Sequence, residues 1–170
     1  GLDVIKWGYD RIADGTSNVV IAGSTEAPLN SLAFATFCAV GVLSKAQHDA
    51  PKASRPYDLN RDGLVLAEGA GAVVVESLES ALDRGTRIYA EITGYGMTSE
   101  AVHVRKVDYA GATLARAIKK ALASSGTGPD DVDYINAHGN SMPDYDVSET
   151  NAFKAAFGTR AYSIPVSSIK

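Results

Sequence analysis

The stretch from Asp133 to Thr150, DYINAHGNSMPDYDVSET, constrains the chain more than any other. Asp133-Tyr134-Ile135-Asn136-Ala137 is short and half apolar, and it reads as a buried strand that stops at His138-Gly139. Pro143 lacks the N–H that a helix interior needs but suits a first helical turn, so the spacing predicts a helix from Pro143 to Phe157. His138 then sits at the carboxyl end of a strand, at the mouth of a strand-loop-helix connection, where open α/β sheets place their ligands. Asp146 and Glu149 are three apart and Thr150 is four beyond Asp146, so the three share a helical face near that loop. A histidine beside two carboxylates is an acid/base pattern. The same spacing also describes a structural histidine in a tight turn beside a solvated helix face. Spacing alone leaves both readings open.

The rest of the chain alternates helix and strand. Leu2 to Asp14 carries the apolar spacing of an amphipathic helix and ends at Gly15. Asn18 to Gly23 is a continuous apolar run of strand length, turned by Ser24-Thr25-Glu26. Leu29, Leu32, Ala33 and Phe37 predict a short helix through Val40. A polar segment, KAQHDAPKASRPYDLNRDG, fills 45–63 and reads as a long loop. Within it Arg55, Asp58, Arg61 and Asp62 pair with one another to hold its shape, with Tyr57 as its apolar anchor. Ala72 to Glu76 is a strand, and Ser77 with Ser80 fits an N-cap before a helix closed by Gly85. Arg87 to Tyr95 alternates as a second strand, Thr113 to Ser124 is the clearest amphipathic helix, and Ala161 to Ser167 is a last short strand. The order implies an α/β layered fold.

Composition excludes several classes. With 45% hydrophobic and 21% charged residues the chain is globular rather than disordered. A formal charge of −4 leaves no basic surplus for nucleic acid, and Lys119-Lys120 and Arg105-Lys106 read as solvated faces. No apolar run approaches the ~18 residues of a membrane span. The single cysteine excludes an internal disulfide and fits a cytoplasmic protein.

Other constellations carry less. Gly69 and Gly71 precede a strand, the wrong order for a phosphate loop, and are assigned to close backbone packing. His48, His103 and His138 lack zinc-ligand spacing, so no metal is expected. Cys38 lies in the apolar run Phe37-Cys38-Ala39-Val40 with no cation beside it, and reads as a small core residue rather than a nucleophile.

Taken in order, VVIAGSTEA, RPYDLNRDG, LAEGAGAVVVESLESALDRG, RIYAEITGYG, DYINAHGNSMPDYDVSET and VSSIK resemble segments of the β-ketoacyl synthases, condensing enzymes with a thiolase-like fold. The resemblance implies an α-β-α-β-α layered fold, incomplete here, with 1–95 as the later part of its first half and 96–170 as the beginning of its second. It implies decarboxylative Claisen condensation of an acyl thioester with malonyl-acyl carrier protein, in fatty-acid or polyketide synthesis. A cysteine thiolate would carry the acyl group and two histidines would stabilise the enolate oxygen. No cofactor is expected beyond the phosphopantetheine arm of the carrier protein, and the full-length protein is expected to form a homodimer or a ketosynthase heterodimer. The alternative is a non-condensing, chain-length-factor-like partner subunit.

On this resemblance His138 matches the first family histidine, Lys170 the lysine that opens the family's Lys-Ser-x-x-Gly-His motif, and Glu149 the carboxylate paired with that lysine. Asp146 is structural support. The family's usual His-Gly-Thr-Ser-Thr-Pro is replaced by His138-Gly139-Asn140-Ser141-Met142-Pro143. Asn140 and Met142 thus stand where two threonine hydroxyls bind the pantetheine arm, and a thioether is a poor acceptor. The nucleophilic cysteine is expected upstream of Gly1 and the second histidine beyond Lys170, so the isolated fragment is expected to be inactive.

Overall fold

A computed structural model describes residues 1–46, 50–103 and 106–170, and the expectations for His48 and Arg105 lie outside the described residues. The chain forms two compact units. One comprises 1–30 with 67–93, the other 31–66 with 94–170.

In the first unit, α1 (Leu2–Ala13) precedes β1 (Val19–Glu26), which pairs antiparallel with β2 (Gly69–Glu76), Val19 opposite Glu76 and Glu26 opposite Gly69. β1 therefore runs on through Ser24-Thr25-Glu26, where a turn was expected, because β2 offers a ladder along its whole length. Helix α1 lies over one sheet face, with Gly8 close to Val20 and Val75. After β2, α3 (Leu78–Asp83) is capped by Ser77, whose side chain accepts from the Ser80 N–H.

The second unit contains α2 (Ser31–Val40), α4 (Ala112–Ser125), β3 (Ile135–Ala137), α5 (Pro143–Phe157) and β4 (Val166–Ser168). β3 and β4 pair in parallel, Ile135 opposite Val166, so α5 is the crossover between them. Helix α5 begins at Pro143, as its missing N–H dictates, and Asp144 and Asp146 in its first turn complement the helix dipole. Helices α4 and α5 pack through small residues. Ala115, Ala152, Ala156, Phe157 and Ile164 form the buried core, ringed by Leu114, Ile118, Leu122, Ile135 and Phe153. Gly96 lets the chain cross α4, since a Cβ there would lie 1.9 Å from the Ala117 carbonyl oxygen.

Several expectations change. Arg87 to Tyr95 forms no strand among the described residues. Alternation favours an extended chain, but a strand also needs a ladder of main-chain hydrogen bonds to a neighbour, and among the described residues none forms along 87–95. Residues 158–162 form a 3₁₀ turn, leaving only Val166–Ser168 as the last strand. Cys38 is exposed on α2 rather than in the core. A Cβ at Gly69 or Gly71 would meet nothing within 4 Å, so close packing does not account for these glycines.

The α4–α5 core makes a direct prediction. Phe157→Ala is expected to cost about 3–5 kcal/mol, whereas Leu59→Ala, at a side chain 92% exposed, is expected to stay within about 0.5 kcal/mol. Urea-unfolding midpoints of the two variants test the contrast.

Candidate active site

His138 follows the last residue of β3 and lines a cavity of about 280 Å³, with Thr98, Glu100, Thr113, Tyr145 and Glu149 among its walls. The residue is exposed. Neither ring nitrogen is hydrogen-bonded among the described residues, while the main chain around the ring is tied on both sides. The His138 N–H donates to Glu149 Oε1 at 2.7 Å and the Gly139 N–H to Glu149 Oε2 at 2.9 Å. The carbonyls of His138 and Gly139 share the single hydroxyl hydrogen of Ser168, whose Oγ lies 2.9 and 2.7 Å from them. Gly139 has φ +40°, and a Cβ there would lie 2.6 Å from Ser168 Cβ and 2.9 Å from Tyr57 Cε2. No larger residue fits.

The two acids of α5 have distinct tasks. Asp146 is 1% exposed. It accepts from the Tyr57 N–H at 2.9 Å and the Asn140 N–H at 3.2 Å, and Arg61 Nε lies 3.2 Å from its Oδ2. The last is an ion pair without hydrogen-bond alignment, so the guanidinium supplies charge while its other nitrogens bond the carbonyls of Asp58 and Pro143, both at 2.8 Å. Glu149 also accepts the Tyr57 phenol at 2.5 Å. Together they pin the loop carrying Arg55, Tyr57 and Arg61 to the loop carrying His138. Two non-glycine residues with positive φ mark the seam, Tyr57 at +65° and Ser141 at +71°. Each such residue costs roughly 1–2 kcal/mol, here offset by its bonds. Ser141, wholly buried, accepts from the Arg55 N–H at its Oγ and from the Gly63 N–H at its carbonyl.

The predicted residues fare unequally. His138, Glu149, Asp146 and Asn140 come together. Lys170 does not pair with Glu149: it is exposed, and its contacts are a main-chain N–H to Ser168 Oγ and a carbonyl accepting from Ser54 Oγ, both at 3.3 Å. Glu149 is met instead by three neutral donors, the N–H groups of His138 and Gly139 and the Tyr57 phenol. Asn140 spends its Oδ1 on the Met142 N–H at 3.0 Å, and Met142 is the half-buried N-cap of α5. In the loop, Arg55 pairs with Asp62 at 3.4 Å as expected, while Arg61 bonds the Asp58 carbonyl within the loop and also reaches Asp146 beyond it. Tyr57 is no mere apolar anchor. Its contact to Glu149 spans 92 positions, and no local pattern announces it. Among the described residues no group of side chains could hold a metal.

Burial, and next the hydrogen bond to Glu149, push the Tyr57 phenol well above the usual tyrosine range. A phenol whose folded pKa is raised stabilises the fold fully below the unfolded value of about 10, and that contribution is lost as pH rises beyond it. Wild type is therefore expected to lose more stability between pH 9 and pH 11 than Tyr57→Phe, measured by urea midpoints at the two pH values. Equal losses would refute the role of the phenol.

The N-terminal domain model of the β-ketoacyl synthases matches residues 1–81 and the C-terminal domain model residues 89–170. The chain belongs to the β-ketoacyl synthase family, and its α/β fold is thiolase-like. It is 44% identical to the tetracenomycin polyketide synthase ketoacyl synthase alpha subunit of Streptomyces glaucescens, over all of this chain and 40% of that protein. It is 45% identical to 3-oxoacyl-[acyl-carrier-protein] synthase 2 of Synechocystis, again over all of this chain and 41% of that protein. Among solved structures, a ketosynthase described with its type II polyketide synthase acyl-carrier protein and bound to a hexaketide superposes with TM-score 0.97 at 39% identity, covering all of this chain and 42% of that one. A beta-ketoacyl synthase from Burkholderia phymatum gives TM-score 0.88 at 37% identity, covering all of this chain and 40% of that one. The chain thus spans about two fifths of the length of these relatives.

Proposed function

We propose that the protein containing these 170 residues catalyses decarboxylative Claisen condensation of an acyl thioester with malonyl-acyl carrier protein. The observation that carries the reading is His138, its main chain held by Glu149 and Ser168 on a residue that lines a cavity and is exposed. A cysteine thiolate attacks the acyl thioester carbonyl and releases the carrier thiol. The malonyl group then loses carbon dioxide, and the electrons of the broken C–C bond form a thioester enolate. An imidazole N–H from His138 donates to the enolate oxygen, where charge develops. The enolate carbon attacks the acyl-cysteine carbonyl, and the thiolate leaves. The thiolate and the second histidine are taken to lie outside residues 1–170, as the family resemblance implies.

The partner is an acyl carrier protein, whose phosphopantetheine arm brings the malonyl group to the site; no metal or nucleotide takes part. The pathway is fatty-acid or polyketide synthesis, the compartment the cytoplasm, and the assembly a homodimer or ketosynthase heterodimer. Among the described residues no helix is long and apolar enough to cross a membrane, and the chain has one cysteine. The matches to relatives named as synthases and alpha subunits support a condensing protein over a non-condensing partner subunit.

In the full-length protein His138→Ala is expected to lower malonyl-carrier decarboxylation by about 10²–10³-fold, followed as carbon dioxide release. Wild-type rates in that variant would sink the assignment. The isolated chain is expected to form no ketoacyl product from acyl and malonyl carrier thioesters. Asn140 and Met142 are proposed to line the path of the pantetheine arm. Asn140→Thr with Met142→Thr is accordingly expected to change the KM for carrier-bound malonate, and an unchanged KM would place both residues elsewhere.

A further inference from the structure

We propose that Tyr57 is a positioning residue for His138, acting through the Glu149 carboxylate from a loop 81 residues upstream of the histidine. This rests on the reading of His138 as the enolate-stabilising donor.

Both ends of Tyr57 are held by α5: its main-chain N–H by Asp146 at 2.9 Å and its phenol by Glu149 at 2.5 Å. Its ring is packed against Gly139, close enough that a Cβ there would lie 2.9 Å from Cε2. The Glu149 oxygen that takes the phenol, Oε2, is also the one that takes the Gly139 N–H. The other oxygen holds the His138 N–H. A carboxylate on a side chain with three rotatable bonds has freedom to swing. The phenol removes that freedom and so fixes the direction in which both main-chain N–H groups are held. With Ser168 fixing the carbonyls of the same two residues, the imidazole keeps only its own side-chain rotations. Small misplacements of a donor weaken stabilisation that depends on alignment with a developing charge.

Tyr57→Phe keeps the ring, its packing on Gly139 and the Asp146 bond, and deletes only the O–H. In the full-length protein it is expected to lower kcat for malonyl-carrier decarboxylation about 10-fold, with KM within about 2-fold and a thermal midpoint within a few degrees of wild type. Tyr57→p-aminophenylalanine, which keeps a weaker donor at the same place, is expected to give a kcat between the two. His138→Ala, assayed beside them, separates the claims. If it loses activity while Tyr57→Phe keeps the wild-type kcat, the positioning role is refuted and the assignment of His138 stands. If His138→Ala is fully active, the underlying reading fails and this inference falls with it. A Tyr57→Phe loss that tracks the fraction of folded protein, or that the p-amino variant does not relieve, makes the residue structural only and overturns the proposal. Should Tyr57→Phe not fold, the p-amino variant decides alone, a wild-type kcat refuting the inference and a lowered kcat at unchanged KM supporting it.

Discussion

A single buried carboxylate organises the region that matters. Glu149, 8% exposed on α5, collects the N–H groups of His138 and Gly139 and the phenol of Tyr57 on its two oxygens. Main-chain N–H groups at the exit of a strand have no ladder partner, and leaving them unpaired away from water is costly. A carboxylate nearly two turns into the next helix answers that demand, and its charge strengthens each bond it accepts. The consequence for chemistry is indirect. With the backbone of His138 satisfied by Glu149 and Ser168, its imidazole is left free of protein hydrogen bonds among the described residues, on a residue that lines a cavity.

Asp146 extends the same logic to a second loop. Its near-complete burial is tolerated because two N–H groups and the Arg61 guanidinium surround it. Asp146 thereby holds Tyr57, as the Arg55 and Gly63 N–H groups hold Ser141, in left-handed backbone conformations that each residue would otherwise avoid. Strain of this kind persists only where surrounding bonds over-determine the geometry, and here it falls at the seam between the loop of Arg55 to Gly63 and the loop of His138. The packing of α4 on α5 through Ala115, Ala152 and Ala156 provides the rigid base from which both acids project.

Much of the architecture was legible in the chain. Pro143 marked the start of α5 because its ring chemistry allows few other places, and Ser77 marked the start of α3 because its hydroxyl accepts an orphan N–H. The apolar spacing of α4 was readable within a residue at each end. The strand expected at Arg87 to Tyr95 was not borne out, because pairing is a property of two segments and alternation reports on one. Cys38 was misplaced for a related reason: an apolar run is buried only if something packs on it, and here it is exposed.

The candidate site divides along the same line. Residue order alone determined that His138 ends a strand, that a helix follows at Pro143, and that Asp146 and Glu149 face the intervening loop, because strand, turn and helix periods are local properties of backbone and side chain. Only the tertiary structure decided who bonds to whom. It gave Glu149 to Tyr57 and the main chain of His138 rather than to Lys170, and it joined Arg61 to Asp146 as well as to its own loop. Those choices join residues up to 92 positions apart, and they follow from which polar groups burial leaves unsatisfied, a quantity that exists only once the chain has folded.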